Sequence, residues 1–238
     1  MKFKMTENYG MYEYDEINLS PGLYYLVTAN GNGKSTFLKN IARTEGFVEL
    51  RRGISGKLTF ERKLKDEDIV FFRYNAEDDN NRSRARTNDM NLSTESLVQA
   101  MMVDSEGQNR YRSFVDIVSD IGAAIKVNTE KRNKVIILLD AMDSGLDIAY
   151  CRKLREFFKD VVEEDIKNED IWVFIAANQF ALIKEQCCLD VNNGNILCFK
   201  EYEEYEKFIE QKAKEESQRV KKKSSRKRTC EEVKRHRF

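Results

Sequence analysis

The sequence predicts an α/β fold with a central, mostly parallel sheet, an antiparallel β segment before it and a small helical subdomain. Two segments with the same pattern support this prediction. In each, an apolar run of strand length leads into a turn and then into residues with helical periodicity, over 24–42 and over 134–162. Because a helix after a strand returns the chain to a parallel neighbour, we expect both segments to contribute to one mostly parallel sheet.

The first segment has the composition of a phosphate-binding loop. Apolar residues 24–27 precede the glycine-rich loop TANGNGKST, residues 28–36, and a helical pattern follows it. Glycines let backbone N–H groups close around phosphate oxygens, a lysine reaches the terminal phosphates, and a serine hydroxyl binds Mg²⁺. The candidate ligand is a nucleoside triphosphate with its metal. Its candidate contacts are Asn30, Gly31, Asn32, Gly33, Lys34, Ser35 and Thr36.

One residue of the glycine-rich loop departs from the usual pattern. Thr28 stands where a phosphate-binding loop begins with glycine. Because a β-branched residue resists positive φ, we expect extended backbone there. The alternative interpretation is that the loop is only a turn between a strand and a helix.

The residues before the loop predict an antiparallel β segment. Apolar and polar positions alternate over 3–27, with a turn at Ser20-Pro21-Gly22. Tyr12 or Tyr14 is a candidate to stack on an adenine ring. The alternative is that both tyrosines pack on the sheet.

The middle of the chain predicts short strands and then a helical subdomain. Apolar runs indicate strands at 47–50, 57–60 and 68–74. Residues 75–89 are polar and predict an exposed loop, in which Arg82, Arg84 and Arg86 either contact nucleic acid or are simply solvated. Helical patterns over 92–103 and 110–126 complete a helical subdomain at about 76–126.

The most apolar run of the chain, Lys134–Asp140, predicts a central parallel strand that ends in an acid. A tight turn and a helix from about 148 to 162 follow it. A further core strand at 171–177 leads into Asn178, and residues 192–195 predict the turn of a hairpin.

The last part of the chain is charged. A helix is expected from 201 to about Val220, whereas Lys221–Arg237 is too polar to fold alone. Residues 211–238 carry 12 Lys or Arg against 4 Asp or Glu, a net charge of +8, so that residues 1–210 carry −8. This basic tail is a candidate contact for DNA, RNA or an acidic protein, and a solubilising role is the alternative.

The sequence predicts a cytoplasmic protein without membrane contact. None of its apolar runs approaches the length that crosses a bilayer. The first residues lack the apolar core of a signal peptide.

Four motifs follow one another along the chain: the glycine-rich loop, Ser105-Glu106-Gly107-Gln108, Leu138-Leu139-Asp140 and Ser144-Gly145-Leu146-Asp147. Because this order is that of ATP-binding-cassette (ABC-type) ATPases, the chain resembles that superfamily over about residues 1–200. The compact body is similar to the soluble heads of chromosome-maintenance and recombination-repair ATPases. The resemblance implies an ABC-type ATPase domain at 1–200, followed at 201–238 by a charged helical extension and a basic tail.

The resemblance implies ATP and Mg²⁺ as ligands. Asp140 would hold Mg²⁺ opposite Ser35, and Asn75 stands where the family has a glutamine that contacts the metal. The family's signature sequence contacts the nucleotide of a second subunit, which gives this role to Ser105, Gly107 and Gln108. ATP would therefore join two copies into a homodimer.

The catalytic positions depart from the family. Ala141 replaces the glutamate that acts as general base, and Asn178 stands at the position of the switch histidine. Asp140, Asp143 and Asn178 remain as candidate catalytic residues. Because a methyl group cannot deprotonate water, we expect a slow ATPase or an ATP-dependent switch for a nucleic-acid or protein partner. The alternatives are an ATP-binding regulatory or structural subunit without hydrolysis and, less favoured, the nucleotide-binding subunit of a transporter.

Overall fold

The structure is a computed structural model that describes residues 1–44, 49–52, 59–62, 69–75, 122, 134–144, 146–159 and 170–235. The strands are β1 Lys2–Lys4, β2 Glu16–Asn18, β3 Gly22–Val27, β4 Glu49–Arg52, β5 Thr59–Arg62, β6 Ile69–Asn75, β7 Lys134–Asp140, β8 Ile171–Ala176, β9 Cys188–Asp190 and β10 Ile196–Leu197. The helices are α1 Lys34–Thr44, α2 Ile148–Phe157, α3 Phe180–Ile183 and α4 Tyr202–Arg235.

Eight of the described strands form one sheet in the order β10-β9-β3-β8-β7-β6-β5-β4. Neighbouring strands from β9 to β6 are parallel, whereas β10, β5 and β4 pair antiparallel. β1 and β2 form a separate antiparallel pair, with Phe3 opposite Ile17. The predicted mixed α/β fold with a mostly parallel sheet and an antiparallel segment is thus confirmed, and β7 has the predicted bounds.

Both faces of the central strands are covered. Odd-numbered residues of β3, β7 and β8 pack with α2, α3 and the first turns of α4, and even-numbered residues pack with α1 and β1. This explains why these strands are continuous apolar runs rather than alternating ones. Buried residues on the first face include Tyr25, Val27, Ile137, Leu139, Val173 and Ile175, and on the second Leu26, Ile136, Leu138, Trp172 and Phe174.

The parallel strands bring the candidate site residues to one edge of the sheet. Asn75 at the end of β6 lies opposite Asp140 at the end of β7, and Leu26 of β3 lies opposite Ala176 of β8. Because parallel strands share the edge at which they end, the residues that follow each strand meet there. This is the edge at which α/β proteins bind ligands.

The C-terminal helix is longer than the sequence predicted. α4 runs without interruption from Tyr202 to Arg235 instead of ending near Val220. It contains neither glycine nor proline and is rich in Glu, Lys, Gln and Arg, which favour helices. Nucleation is the costly step of helix formation, and the packed first turns supply it. A polar segment that cannot bury a core can therefore extend the helix.

A buried ion pair attaches α4 to the sheet. Lys212 Nζ lies 2.6 Å from Asp190 Oδ2, and the two side chains are only 6% and 1% exposed. The second carboxylate oxygen, Asp190 Oδ1, accepts a hydrogen bond from the backbone N–H of Asn192 at 3.0 Å. The buried charge is thus compensated by one cation and one backbone donor.

Substitution of Lys212 tests this attachment. Lys212→Met should lower the free energy of unfolding by about 3–5 kcal/mol, because it leaves the Asp190 carboxylate buried without a cation. Urea unfolding of the purified protein measures the loss. Lys212→Met combined with Asp190→Asn should regain much of it, and Lys214→Met, at a side chain that is 75% exposed, should change little. Equal stability of Lys212→Met and wild type would show that the ion pair does not hold α4.

Candidate functional site

The glycine-rich loop has positive φ at two glycines, for different reasons. Gly31 has φ +76° and Gly33 has φ +105°, a region that glycine adopts without steric cost. A Cβ atom at Gly31 would meet no atom within 4 Å, whereas one at Gly33 would lie 3.1 Å from Met11 Sδ and 3.2 Å from the hydroxyl of Tyr12. Gly31 therefore faces open space, and Gly33 permits the close approach of residues 11–12.

Thr28 avoids the left-handed backbone region, which its β-branched side chain disfavours. The non-glycine residues with positive φ in the described ranges are Tyr9, Ala141 and Glu185, so that Thr28 is outside the left-handed region. Its side chain is buried, and its hydroxyl donates to Asn192 Oδ1 at 2.5 Å. The residue that departs from the usual motif thus contributes a contact that glycine lacks.

Asn192, which follows β9, supports the glycine-rich loop. Its side-chain N–H groups donate to the carbonyl of Asn32 at 3.1 Å and to that of Met11 at 3.0 Å. It is 4% exposed. The sequence assigns Asn192 only to a hairpin turn, and no local signal connects it with a loop 160 residues earlier.

Lys34, the first residue of α1, gives the loop a positive charge. It is 9% exposed, and its Nζ donates to the carbonyl of Thr28 at 2.9 Å. Burial lowers the pKa of Lys34 to about 8, while Asp143 and Asp140 act in the opposite direction. The first turn of α1 contains no acidic residue. A cation at a helix N-terminus whose first turn carries no acidic side chain is suited to bind an anion.

Ser35 and Asp140 meet across the edge of the sheet. Ser35 Oγ donates to Asp140 Oδ1 at 3.2 Å, although 105 residues separate them in the chain. Asn75 is the register partner of Asp140, which places the third candidate metal ligand on the neighbouring strand. Hydroxyl and carboxylate oxygens are ligands that Mg²⁺ accepts.

The chemistry of this donor set fits Mg²⁺ bound together with phosphate. Within the described ranges, no three His, Cys, Asp or Glu residues cluster as they would in a metal site built from protein alone. Mg²⁺ usually keeps several waters and takes only one or two carboxylates in addition to phosphate oxygens. One hydroxyl and one carboxylate are therefore sufficient protein ligands for that type of site.

Asp143 joins the turn after β7 to the residues after β8. Its Oδ2 accepts the backbone N–H groups of Asn178 at 2.5 Å and Gln179 at 2.6 Å. Gln179 Nε2 donates in return to the carbonyls of Asp143 and Leu146 at 3.1 and 2.9 Å. Asp143 is 2% exposed, and its Oδ1 has no hydrogen-bond partner among the described residues. Asp143 thus positions residues 178–179 against the turn after β7. Gln179 contributes to the same contact, and nothing in the sequence indicated this role.

The other two candidate positions at this edge differ in exposure. Asn178 is exposed, and its backbone carbonyl accepts a hydrogen bond from the Tyr205 hydroxyl at 2.8 Å. Ala141 is half-buried against the core, with φ +55°. A methyl group thus follows Asp140, as the sequence implies, and it neither accepts a proton nor orients a water molecule.

Both candidate adenine-stacking tyrosines pack instead. Tyr12 is 5% exposed, its hydroxyl donates to the carbonyl of Gly33 at 2.8 Å, and its ring contacts Phe37. The Tyr14 hydroxyl donates to the carbonyl of Val191 at 2.7 Å. Burial raises the pKa of both phenols above its usual value. The packing alternative therefore describes both residues, and Tyr12 supports the glycine-rich loop directly.

The remaining loop residues divide by exposure. Asn30, Gly31 and Ser35 are exposed, Thr36 is half-buried, and Asn32, Gly33 and Lys34 are buried. The signature candidates Ser105, Gly107 and Gln108 lie outside the described residues, as do Arg82, Arg84, Arg86 and all of 76–126 except Gly122. Their roles stay predictions.

Comparison of the chain with known protein families, with curated proteins and with solved structures found no match. In the part of the chain that the structure describes, no helix has the length and apolar character needed to cross a membrane. The motifs and the geometry at the edge of the sheet therefore carry the functional assignment.

Substitution of Asp143 tests its positioning role. Asp143→Ala should lower the free energy of unfolding by about 3 kcal/mol, because it leaves two backbone N–H groups without their acceptor. Asp147 is a matched control in the same turn, since as the N-cap of α2 its side chain accepts the N–H of Tyr150 at 2.8 Å. Asp147→Ala should cost about 1 kcal/mol. Similar losses in urea unfolding of the two variants would contradict the special role of Asp143.

Proposed function

We propose that this chain is an ABC-type ATPase head that binds MgATP, joins two copies around the nucleotide and acts as a slow ATPase or an ATP-dependent switch. The contact between Ser35 Oγ and Asp140 Oδ1, at 3.2 Å, carries this proposal. It unites the hydroxyl of one motif with the carboxylate of another at the expected edge of the sheet. In nucleotide-binding proteins with this loop, the same two groups hold Mg²⁺.

The residues around this contact have complementary tasks. The backbone of the glycine-rich loop, open at Gly31, and the N-terminus of α1 would bind phosphate oxygens. Lys34 would neutralise their charge, while Ser35 and Asp140 would hold Mg²⁺. When bound, Mg²⁺ draws electron density from the phosphoryl group and orients it.

The chemistry that this site can support is limited. The methyl group of Ala141 accepts no proton, and Asp143 already uses one carboxylate oxygen for two backbone N–H groups. General-base catalysis requires a positioned proton acceptor within hydrogen-bond reach. These observations favour slow turnover. They equally favour the second candidate function, an ATP-binding regulatory or structural subunit that does not hydrolyse its ligand.

A partner is proposed from charge. Residues 221–235 carry eight Lys or Arg against two Glu, and the structure continues α4 through them. A helix with this composition suits the phosphates of DNA or RNA, or an acidic protein. A role as the nucleotide-binding subunit of a transporter stays the least favoured alternative.

Lys34→Ala tests both candidate functions, the slow ATPase and the ATP-binding subunit that does not hydrolyse its ligand. Its affinity for MgATP should fall at least about tenfold, because a charge-assisted contact contributes about 1.5–3 kcal/mol. The exposed Lys39 of the same helix gives the control, and Lys39→Ala should bind like wild type. Phosphate release by wild type that disappears in Lys34→Ala supports an enzyme. Binding of MgATP by wild type without phosphate release supports the subunit that does not hydrolyse ATP. A wild-type protein that binds no nucleotide at millimolar magnesium would overturn both.

Ser105→Arg tests the proposed dimer. If Ser105 acts on the nucleotide of a second copy, the substitution should block MgATP-dependent dimers, because a large cation would occupy the interface. Binding to the monomer should be nearly intact. Sedimentation with and without MgATP measures the dimer, and fluorescence titration measures binding. An equal loss of both properties contradicts action between copies.

The pKa of Lys34 predicts how affinity depends on pH. A bound triphosphate favours the ammonium form, whereas the free protein loses that proton as the pH rises through about 8. The Kd for MgATP should therefore be nearly constant below pH 7 and should rise above pH 8, approaching about tenfold per pH unit. Lys34→Arg, which keeps its charge, should lack this rise. A wild-type Kd that does not change between pH 7 and 9.5 would contradict the role of Lys34.

A further inference from the structure

Three side chains of α4 that contact the site edge recur at intervals of seven residues. They are Tyr205, Lys212 and Arg219. Seven residues make almost two turns of an α-helix, with a drift of about 20° per interval, so all three lie on one stripe. From the first to the last, the stripe covers about 21 Å at 1.5 Å per residue.

Each of the three contacts a different segment at the carboxyl edge of the sheet. The Tyr205 hydroxyl donates to the carbonyl of Asn178, after β8. Lys212 pairs with Asp190, at the end of β9. Arg219 reaches the glycine-rich loop itself, after β3. α4 therefore connects the segments on which the candidate nucleotide site is built.

Arg219 makes the most specific of these contacts. Its Nη2 donates to Asn32 Oδ1 at 2.7 Å, and its Nη1 donates to the carbonyl of Gly10 at 2.5 Å. Glu216, one turn earlier, pairs with the same guanidinium. One planar cation thus ties the loop to residues 8–12, the segment that approaches Gly33 most closely.

Asn32 is held from two sides. Its backbone carbonyl accepts from Asn192 at 3.1 Å, and its side-chain carbonyl accepts from Arg219 at 2.7 Å. Asn32 is 1% exposed and lies between the two glycines with positive φ. Without these contacts, the glycines would give the loop many alternative conformations. A phosphate needs the free backbone N–H groups of this loop in place. The N–H of Asn32 is not one of them in this structure, because it donates to the carbonyl of Ala29 at 3.1 Å and so helps to shape the loop.

We propose that Arg219 is a positioning residue of the glycine-rich loop, and that docking of α4 is therefore coupled to nucleotide binding. This inference rests on the proposed function for the identity of the ligand. If docked α4 raises nucleotide affinity, bound nucleotide must stabilise the docked helix by the same factor. Nucleotide occupancy is thereby linked to the helix that continues into the basic segment 221–235.

Arg219→Ala, compared with Lys214→Ala on an exposed position of the same helix, tests the coupling. The Kd for a fluorescent ATP analogue with Mg²⁺ should rise about tenfold in Arg219→Ala, because part of the binding free energy is then used to order the loop. Lys214→Ala should bind like wild type. Arg219→Lys should give an intermediate Kd, because an ammonium lacks the fork that spans two acceptors. The midpoint of thermal unfolding without nucleotide distinguishes this effect from a general loss of stability.

Hydrogen exchange tests the positioning without a nucleotide. Backbone amides of residues 29–34 should exchange faster in Arg219→Ala than in wild type or Lys214→Ala, while amides of β7 and β8 keep their rates. If Arg219→Ala does not fold, Arg219→Gln is measured in the same way. Unchanged exchange or an unchanged Kd overturns the inference. A wild-type protein that binds no nucleotide refutes the proposed function, whereas the exchange rates still decide the role of Arg219.

Discussion

The shape of the glycine-rich loop depends on hydrogen bonds from parts of the chain that are remote in sequence. Asn192 holds the carbonyl of Asn32 and the hydroxyl of Thr28, and Tyr12 holds the carbonyl of Gly33. Within the loop, the N–H of Asn32 donates to the carbonyl of Ala29 at 3.1 Å. N–H groups that are to bind a ligand cannot also pair within the loop, so contacts to its carbonyls and side chains must provide the rest of the rigidity. The hairpin after β9 and the segment before β3 supply the partners. The loop is thus a property of the assembled sheet rather than of nine residues.

The charges at the same edge follow a related constraint. Lys34 is buried where the charges of Asp143 and Asp140 act to raise its pKa, and Lys212 is buried against Asp190, so that carboxylates act on both cations. Buried charges are tolerated only where such compensation exists. For Lys34 the compensation is incomplete, because burial still lowers its pKa to about 8. A partly compensated cation beside an open loop retains attraction for an anion, which is the electrostatic basis of the proposed function.

Prediction from the sequence succeeded where the signal is local. The limits of β7, the antiparallel pair before the loop and the hairpin at 192–195 follow from apolar runs and turn residues. The meeting of Ser35 with Asp140, 105 residues apart, was predicted instead from the order of the motifs. Prediction failed for the C-terminal half of α4, because residues 221–235 have no apolar face and gain their helix from the anchored turns before them. For the two tyrosines the sequence left stacking and packing open, since nothing local distinguishes a ring that stacks on a ligand from one that packs in a core.

By itself, the sequence determined the α/β class, the strand–loop–helix unit at 24–42 and the residue types that can bind a phosphate and its metal. These features depend on periodicity, on glycine conformation and on side-chain chemistry, all of which are local. Only the tertiary structure decided that Asn192, Asp143 and Arg219 support the site. Each acts through a hydrogen bond across the fold, to a partner at least 35 and up to 187 residues away. Such partners leave no pattern in a single sequence, because distance along the chain says nothing about which polar groups folding brings together.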